Sequence, residues 1–193
     1  MANKSELRRF YRNQRRAIPE RQQAAHAAAI AQNVLRSFIP LRHRHIAVFI
    51  AADGEPNTQP LIDRLWSIGK RIALPVINPL TKRLEFYGFE PGMSLIRGAF
   101  DIPVPPLDAP MISARAIDLM LVPLVAFDDH GTRLGMGGGY YDRTLATLPT
   151  TLRPRLIGMA HSNQHSTTAL PKAVHDISLD AVVTESGLTT FQR

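Results

Sequence analysis

The chain changes hydrophobic rhythm twice. Over residues 4–16 and 20–38 the polar and apolar positions recur at helical spacing, with Ile30, Val34, Leu35 and Phe38 forming the apolar stripe of the second segment. Two helices are predicted there, separated by Pro19, which fits a first helical turn but would break a helix interior. The period then shortens. "HIAVFIA" (45–51), "RIALPV" (71–76), "LEFYGF" (84–89), "DLMLVPLVAF" (118–127), "RLIGMA" (155–160) and "DAVVTE" (180–185) are short and rich in branched or aromatic residues, as strands are. Further helices are predicted from Thr58 to Ile68, stopped by Gly69, and over 139–148, stopped before Pro149. Strands of nearly continuous apolar character alternating with helices predict an α/β fold. It is a single domain over residues 1–193, with a largely parallel sheet, helices on both faces and Rossmann-like layering. Ligands of such sheets sit beyond the carboxyl ends of the strands. The proline-rich "DIPVPPLDAP" (101–110) reads as a loop or flap, and no internal repeat is present.

Composition adds limits. The 193 residues, 45% hydrophobic and 20% charged, suit one folded domain. The net charge of +7 favours anionic partners without choosing between nucleic acid, phosphorylated metabolites and acidic membrane. The absence of cysteine excludes disulfides, thiolate catalysis and Cys-ligated zinc. The N-terminal "MANKSELRRFYRNQRR" leads into no signal-peptide core. The longest apolar stretch, "LMLVPLVAF", has nine residues and a proline, whereas a membrane helix needs about 20. A soluble, cytoplasmic chain with no membrane partner is the expectation.

The densest chemistry lies in "RLGMGGGYYDR" (133–143), between a predicted strand and a predicted helix. Backbone N–H groups in that setting converge on anions, and glycine lets the ligand approach. The spacing of Gly135, Gly137, Gly138 and Gly139 is neither a Walker loop nor GxGxxG, so a flexible surface turn stands as the alternative. Arg133 offers a planar donor fork for phosphate, and Asp142 a hard oxygen ligand of the kind magnesium prefers. On the first helix Lys4, Arg8 and Arg12 share one face, which alone equally describes a solvated basic surface. Phe10 and Tyr11 are expected to pack inward. "FIAADGEPNT" (49–58) ends a strand with Asp53 and Glu55, as ligand contacts or solvated turn residues, and Thr58 as an N-cap. In "HDISLDAVVTE" (175–185), Asp176 and Asp180 read locally as turn or cap residues. The seven histidines show no metal-ligand spacing, so His26, His43 and His45 are taken as structural.

"VPLVAFDDHGTRLGMGGGYYDR" (122–143) resembles the signature of the 5-formyltetrahydrofolate cyclo-ligase family, also called methenyltetrahydrofolate synthetases. The resemblance covers nearly the whole chain, since "KSELRRFYRNQRR", "FIAADGEPNTQPLI", "FDIPVP" and "HDISLDAVVTE" follow in the family's order. It implies a single-domain α/β enzyme that uses ATP and Mg2+ to convert 5-formyltetrahydrofolate into 5,10-methenyltetrahydrofolate. Lys4 and Arg8 match contacts to ATP phosphates. Arg133, Leu134, Gly135, Met136, Gly137, Gly138, Gly139, Tyr140 and Tyr141 match the nucleotide loop, with Arg133 and Tyr140 as catalytic residues. Asp142 and Asp176 match magnesium ligands. Ile50, Glu55 and Phe100 match the folate side, and Met136 to Tyr140 border both ligands.

Two departures stand out. Many eukaryotic relatives carry lysine where this chain has Gly138, and some members carry tryptophan where it has Phe100. The resemblance implies two small-molecule substrates, ATP and the folate; a monomer with no nucleic-acid partner is the expectation, although the sequence does not itself reveal oligomeric state. Two other readings remain open at this level: another ATP-dependent ligase or kinase for a small anionic metabolite, and a basic nucleic-acid-binding module. The latter lacks any helix-turn-helix, RRM or zinc pattern.

Overall fold

The computed structural model describes residues 3–192. Helix α1 (Lys4–Arg16) begins where the pattern placed it, because Asn3 and Glu6 form a reciprocal capping box. Helix α2 (Glu20–Arg36) follows Pro19 and ends two residues short of the predicted boundary, where Phe38 turns into the left-handed region at φ 57°. Helix α3 (Gln59–Ser67) stops before Gly69, whose φ of 72° provides the expected C-terminal turn. Thr58 does not cap α3 with its side chain. Its buried hydroxyl donates to the Phe49 carbonyl at 2.8 Å, tying the helix start to the strand end. Helix α4 (Tyr140–Leu145) is only six residues long. The predicted continuation to 148 tightens into i to i+3 bonds at Thr147 and Leu148 ahead of Pro149.

Thirteen strands are present among the described residues. In chain order they are β1 (His45–Ala47), β2 (Arg71–Asn78), β3 (Arg83–Phe89), β4 (Ile96–Arg97), β5 (Pro103–Val104), β6 (Met111–Ile112) and β7 (Leu119–Pro123). There follow β8 (Ala126–Asp128), β9 (Arg133–Leu134), β10 (Arg155–Met159), β11 (His165–Ser166), β12 (Ala181–Thr184) and β13 (Gly187–Thr190). Eight form the main sheet in the order β13-β12-β10-β7-β1-β2-β3-β6. The five central strands β12, β10, β7, β1 and β2 are parallel, and β13, β3 and β6 add antiparallel edges. The predicted α/β sheet is therefore present and mostly parallel.

Burial on both faces explains the continuous apolar runs. Ile46, Leu119, Leu121, Ile157, Met159, Ala181 and Val183 face the cluster covered by α2 and α3. Their neighbours Ala47, Met120, Val122, Leu156 and Val182 face the opposite cluster, covered by α4. The predicted strand over 118–127 is two strands. Between them the Leu124 carbonyl leaves the ladder to accept Arg15 at 3.1 Å and Gln164 at 2.8 Å. The split redirects the chain into a small sheet, β11-β8-β9, whose last strand starts the glycine loop. The flap around Phe100 is tied by the pair β4 and β5.

Candidate active site

Helix α1 crosses the carboxyl ends of the central strands and faces the glycine loop. Arg8 Nε donates to the Gly135 carbonyl at 2.8 Å, and Lys4 Nζ reaches Asp176 Oδ2 at 2.8 Å. Gly137 has φ 103°, and a Cβ there would meet the Arg8 guanidinium at 3.3 Å, so the close approach of loop and helix requires glycine. Asp142, in the first turn of α4, accepts from Arg133 at 2.6 Å and from the Ile177 N–H at 3.1 Å, both through Oδ1. Arg133 also donates to the Ile177 carbonyl and is nearly buried. This guanidinium bridges β9, α4 and the 175–180 segment.

One cavity of about 790 Å³ joins these groups to the 50–55 turn and the flap. That volume is in the range of small-molecule sites, roughly 300 to 1,000 Å³. Lys4, Arg8, Asp142 and Asp176 line it together with Ile50, Glu55, Phe100 and the loop from Arg133 to Tyr141. Every site residue expected from the sequence therefore borders one space. Leu134 does so mainly from the core, buried against Tyr11, Val125 and Leu170. Phe100 stands out from the surface at 73% exposure with φ 57°, its ring 6.4 Å from that of Tyr140. The Tyr140 ring also carries the Arg143 guanidinium 5.3 Å from its centre.

The 50–55 turn is held by a charge cluster centred on Asp53, which has φ 54°. Arg12 Nε and Arg15 Nη2 donate to Asp53 Oδ2 at 2.8 and 2.7 Å, Arg16 pairs with Oδ1, and Arg15 Nε donates to the Asp53 carbonyl. Burial alone would raise the Asp53 pKa, but the hydrogen bonds from Arg12, Arg16 and Arg15 outweigh it and hold it at about 2. Arg15 is fully buried and also sits 3.6 Å from Glu55 Oε1.

Glu55 behaves in the opposite way. Burial pushes its pKa up to about 7; Arg15 and the Ala52 N–H oppose the shift, and the Asp53 charge adds to it. The Tyr141 hydroxyl is also pushed upward, by burial and then by the nearby Glu55, so it remains a protonated donor facing that end of the cavity. Partial burial would raise the Asp176 pKa, but its hydrogen bonds from Lys4 and the Ala173 N–H hold it low.

Several local readings change. Lys4, Arg8 and Arg12 do not form a solvated face but engage Asp176, Gly135 and Asp53. Phe10 does not pack inward with Tyr11: it is 55% exposed while Tyr11 is buried. Adjacent helical positions lie about 100° apart, and on α1 the side that turns Tyr11, Arg15 and Leu7 inward leaves Phe10 facing outward. Asp176 reaches the cavity, whereas Asp180 accepts from the Leu156 N–H at 2.8 Å within the sheet. Arg15 was missed, although its position continues the stripe of Lys4, Arg8 and Arg12.

Two carboxylates, Asp142 and Asp176, offer oxygen donors to the basic end of the cavity. That set suits a hard cation such as magnesium better than one that needs nitrogen or sulfur. Fold and site define an α/β protein with a built small-molecule cavity at the strand carboxyl ends, one end basic and the other carrying the buried Glu55 beside the Asp53 charge cluster and apolar side chains.

The chain belongs to the 5-formyltetrahydrofolate cyclo-ligase family, whose family model matches residues 1–185. It is 40% identical over 178 residues to the 5-formyltetrahydrofolate cyclo-ligase of Escherichia coli K12, covering 91% of this chain and 96% of that protein. The cyclo-ligase of Mycolicibacterium smegmatis is 30% identical over 191 residues, covering 94% and 93%. The NMR structure of Aquifex aeolicus 5,10-methenyltetrahydrofolate synthetase superposes with a TM-score of 0.79 at 28% identity, covering 98% of this chain and 93% of the other.

Proposed function

We propose that the chain converts 5-formyltetrahydrofolate into 5,10-methenyltetrahydrofolate with consumption of ATP, and that the cavity residues divide the work as follows. The observation that carries this reading is the continuity of one cavity from Lys4, Arg8, Asp142 and Asp176 to Ile50, Glu55 and Phe100. A formyl oxygen on N5 is amide-like and leaves poorly. It attacks the γ-phosphorus, the bond to ADP breaks, and the oxygen becomes part of a phosphate leaving group. The N10 lone pair then forms the new C–N bond, the C–O bond breaks, phosphate departs and N10 loses its proton.

Phosphoryl transfer asks a protein chiefly for alignment and charge stabilisation. Lys4, Arg8 and the amides of residues 135–139 hold the phosphates. Asp142 and Asp176 would hold magnesium, whose charge would offset that of the phosphates. Arg133 fixes the Asp142 carboxylate and turns the rest of its fork to the phosphates. Glu55 holds the pterin by accepting its N–H donors, with Ile50 beside it. Tyr140 and Phe100 offer ring faces across the folate, and the exposed flap closes over it.

The same reading makes the protein a cytoplasmic monomer acting on small molecules. No helix among the described residues is long and apolar enough to cross a membrane. On α1, Lys4, Arg12, Arg15 and Arg16 are engaged by carboxylates, which leaves less of the positive charge for a nucleic acid.

The test is the near-ultraviolet absorbance of the methenyl product when the protein meets 5-formyltetrahydrofolate with MgATP present or omitted. Growth only with MgATP, with ADP rising in step, is expected. Folded protein, intact substrate and no chromophore would sink the reading.

A further inference from the structure

Away from the cavity entrance, three side chains from distant parts of the chain converge. His26 comes from α2, His161 follows β10, and Glu185 follows β12. Each offers one ligand atom, and the three atoms lie within 4.8 Å of one another. His26 Nδ1 is 2.9 Å from His161 Nδ1 and 3.7 Å from Glu185 Oε2. His161 is fully buried, and the side chains of His26 and Glu185 are each only 14% exposed. We propose that His26, His161 and Glu185 form a binding site for a zinc-class divalent metal ion, separate from the Asp142 and Asp176 pair.

The outer contacts are those a metal site needs. The Gly54 carbonyl can only accept, so the His161 proton lies on Nε2, 3.2 Å away, and the Nδ1 lone pair points at His26. A ligating histidine ordinarily donates its other ring N–H to a carbonyl or carboxylate, which fixes ring and tautomer. Glu185 is oriented in the same way, accepting the Ser162 N–H at 3.1 Å and the Ser162 hydroxyl. Without metal, a proton on His26 Nδ1 bridges the two rings. With metal, that proton moves to His26 Nε2 and both Nδ1 atoms present lone pairs, so the neutral charge of the rings is unchanged.

Ligand chemistry sets the ion class. Two imidazole nitrogens and one carboxylate suit zinc and its transition-metal neighbours, whereas magnesium prefers an all-oxygen set. Three protein ligands leave a position for water. An ion here would join α2 to the ends of two central strands. Through His161 it would also brace Gly54, the residue between Asp53 and Glu55. Binding itself does not depend on the folate reading.

The experiment treats the full chain with chelator, removes the chelator, and titrates ZnCl2 by calorimetry and thermal unfolding. His26→Ala and Glu185→Gln are run beside the wild type. Expected are one zinc per chain, a raised Tm, and at least about a tenfold loss of affinity in each variant. MgCl2 should give no Tm shift that depends on His26. Cyclo-ligase turnover without zinc should match wild type in His26→Ala, since His26 does not line the cavity. No zinc binding by wild type, or wild-type affinity retained in both variants, would overturn the proposal and leave the histidine pair as an internal hydrogen bond.

Discussion

Replacing Glu55 with glutamine should stabilise the protein and impair it at once. Burial raises the Glu55 pKa from 4.5 to about 7. Between those values the folded state holds a proton that the unfolded chain has released. Stability from this group is therefore fully present below pH 4.5 and is lost as pH rises through 7. At about 1.36 kcal/mol per pKa unit, the carboxylate costs about 3 kcal/mol at pH 8. Glutamine keeps the shape and removes the charge. The variant should gain up to about 3 kcal/mol at pH 8, or roughly 6–12 °C in Tm for a chain of this size. Near pH 4.5 the gain should vanish, because wild-type Glu55 is then protonated as well.

Function should move the other way. Glutamine presents one acceptor and one donor where the pterin needs two acceptors, and a lost hydrogen bond to a charged group costs about 1.5–3 kcal/mol. The folate KM should rise roughly 10- to 100-fold, with ATP KM little changed. The assays are denaturant unfolding at pH 5 and pH 8 and initial rates against each substrate. A stability difference that does not change with pH would refute the buried-charge account, and an unchanged folate KM would refute the pterin contact. In wild type, folate KM should fall as pH rises through 7.

Asp53→Asn should destabilise by about 3–5 kcal/mol, since it leaves the fully buried Arg15 beside only the weakly charged Glu55; urea unfolding measures this, and a change under 1 kcal/mol would contradict the cluster's role. Gly138→Ala places a Cβ in steric overlap with the Tyr140 ring, which must swing away. It should lower kcat/KM by about tenfold, equivalent to about 1.4 kcal/mol, with Tm within a few degrees of wild type, and unaltered kinetics would argue against a fixed Tyr140 ring. Asp142→Ala removes the carboxylate that Arg133 grips and should abolish most MgATP-dependent turnover with the fold retained by circular dichroism; near-wild-type rates at saturating magnesium would reject the metal assignment.

The sheet was readable because burial on both faces leaves a local trace. "LMLV" and "AVV" are apolar at every position since odd and even residues enter different clusters. The edges left no such trace. β4, β5, β6, β9 and β11 have two residues each, too few for any period, and are defined by their pairing partners, which for β6 and β11 are distant in sequence (Ile112 on Phe86, His165 on Phe127). The break at Leu124 was equally hidden, because the groups that take its carbonyl come from Arg15 and Gln164, 109 and 40 residues away.

The site divides along the same line. The glycine loop was readable because part of its requirement is local: Gly137 and Gly139 take left-handed φ values and the acid Asp142 follows just behind. Arg15 was not, because a buried and an exposed arginine have the same neighbours in sequence, and only the Asp53 turn 38 residues away separates them. The helical stripe of Lys4, Arg8 and Arg12 leads to both Arg15 and Arg16, one buried and the other half exposed, so it did not single out Arg15. Along that stripe α1 presents successive cations to Asp176, to the glycine loop and to Asp53. One helix thereby sets the spacing between the basic end of the cavity and Glu55. A change in its tilt would move the two ends relative to each other. The fully buried Arg15, its charge compensated by Asp53 and its N–H groups by the Asp53 and Leu124 carbonyls, fixes the last turn of the helix against the turn that carries Glu55.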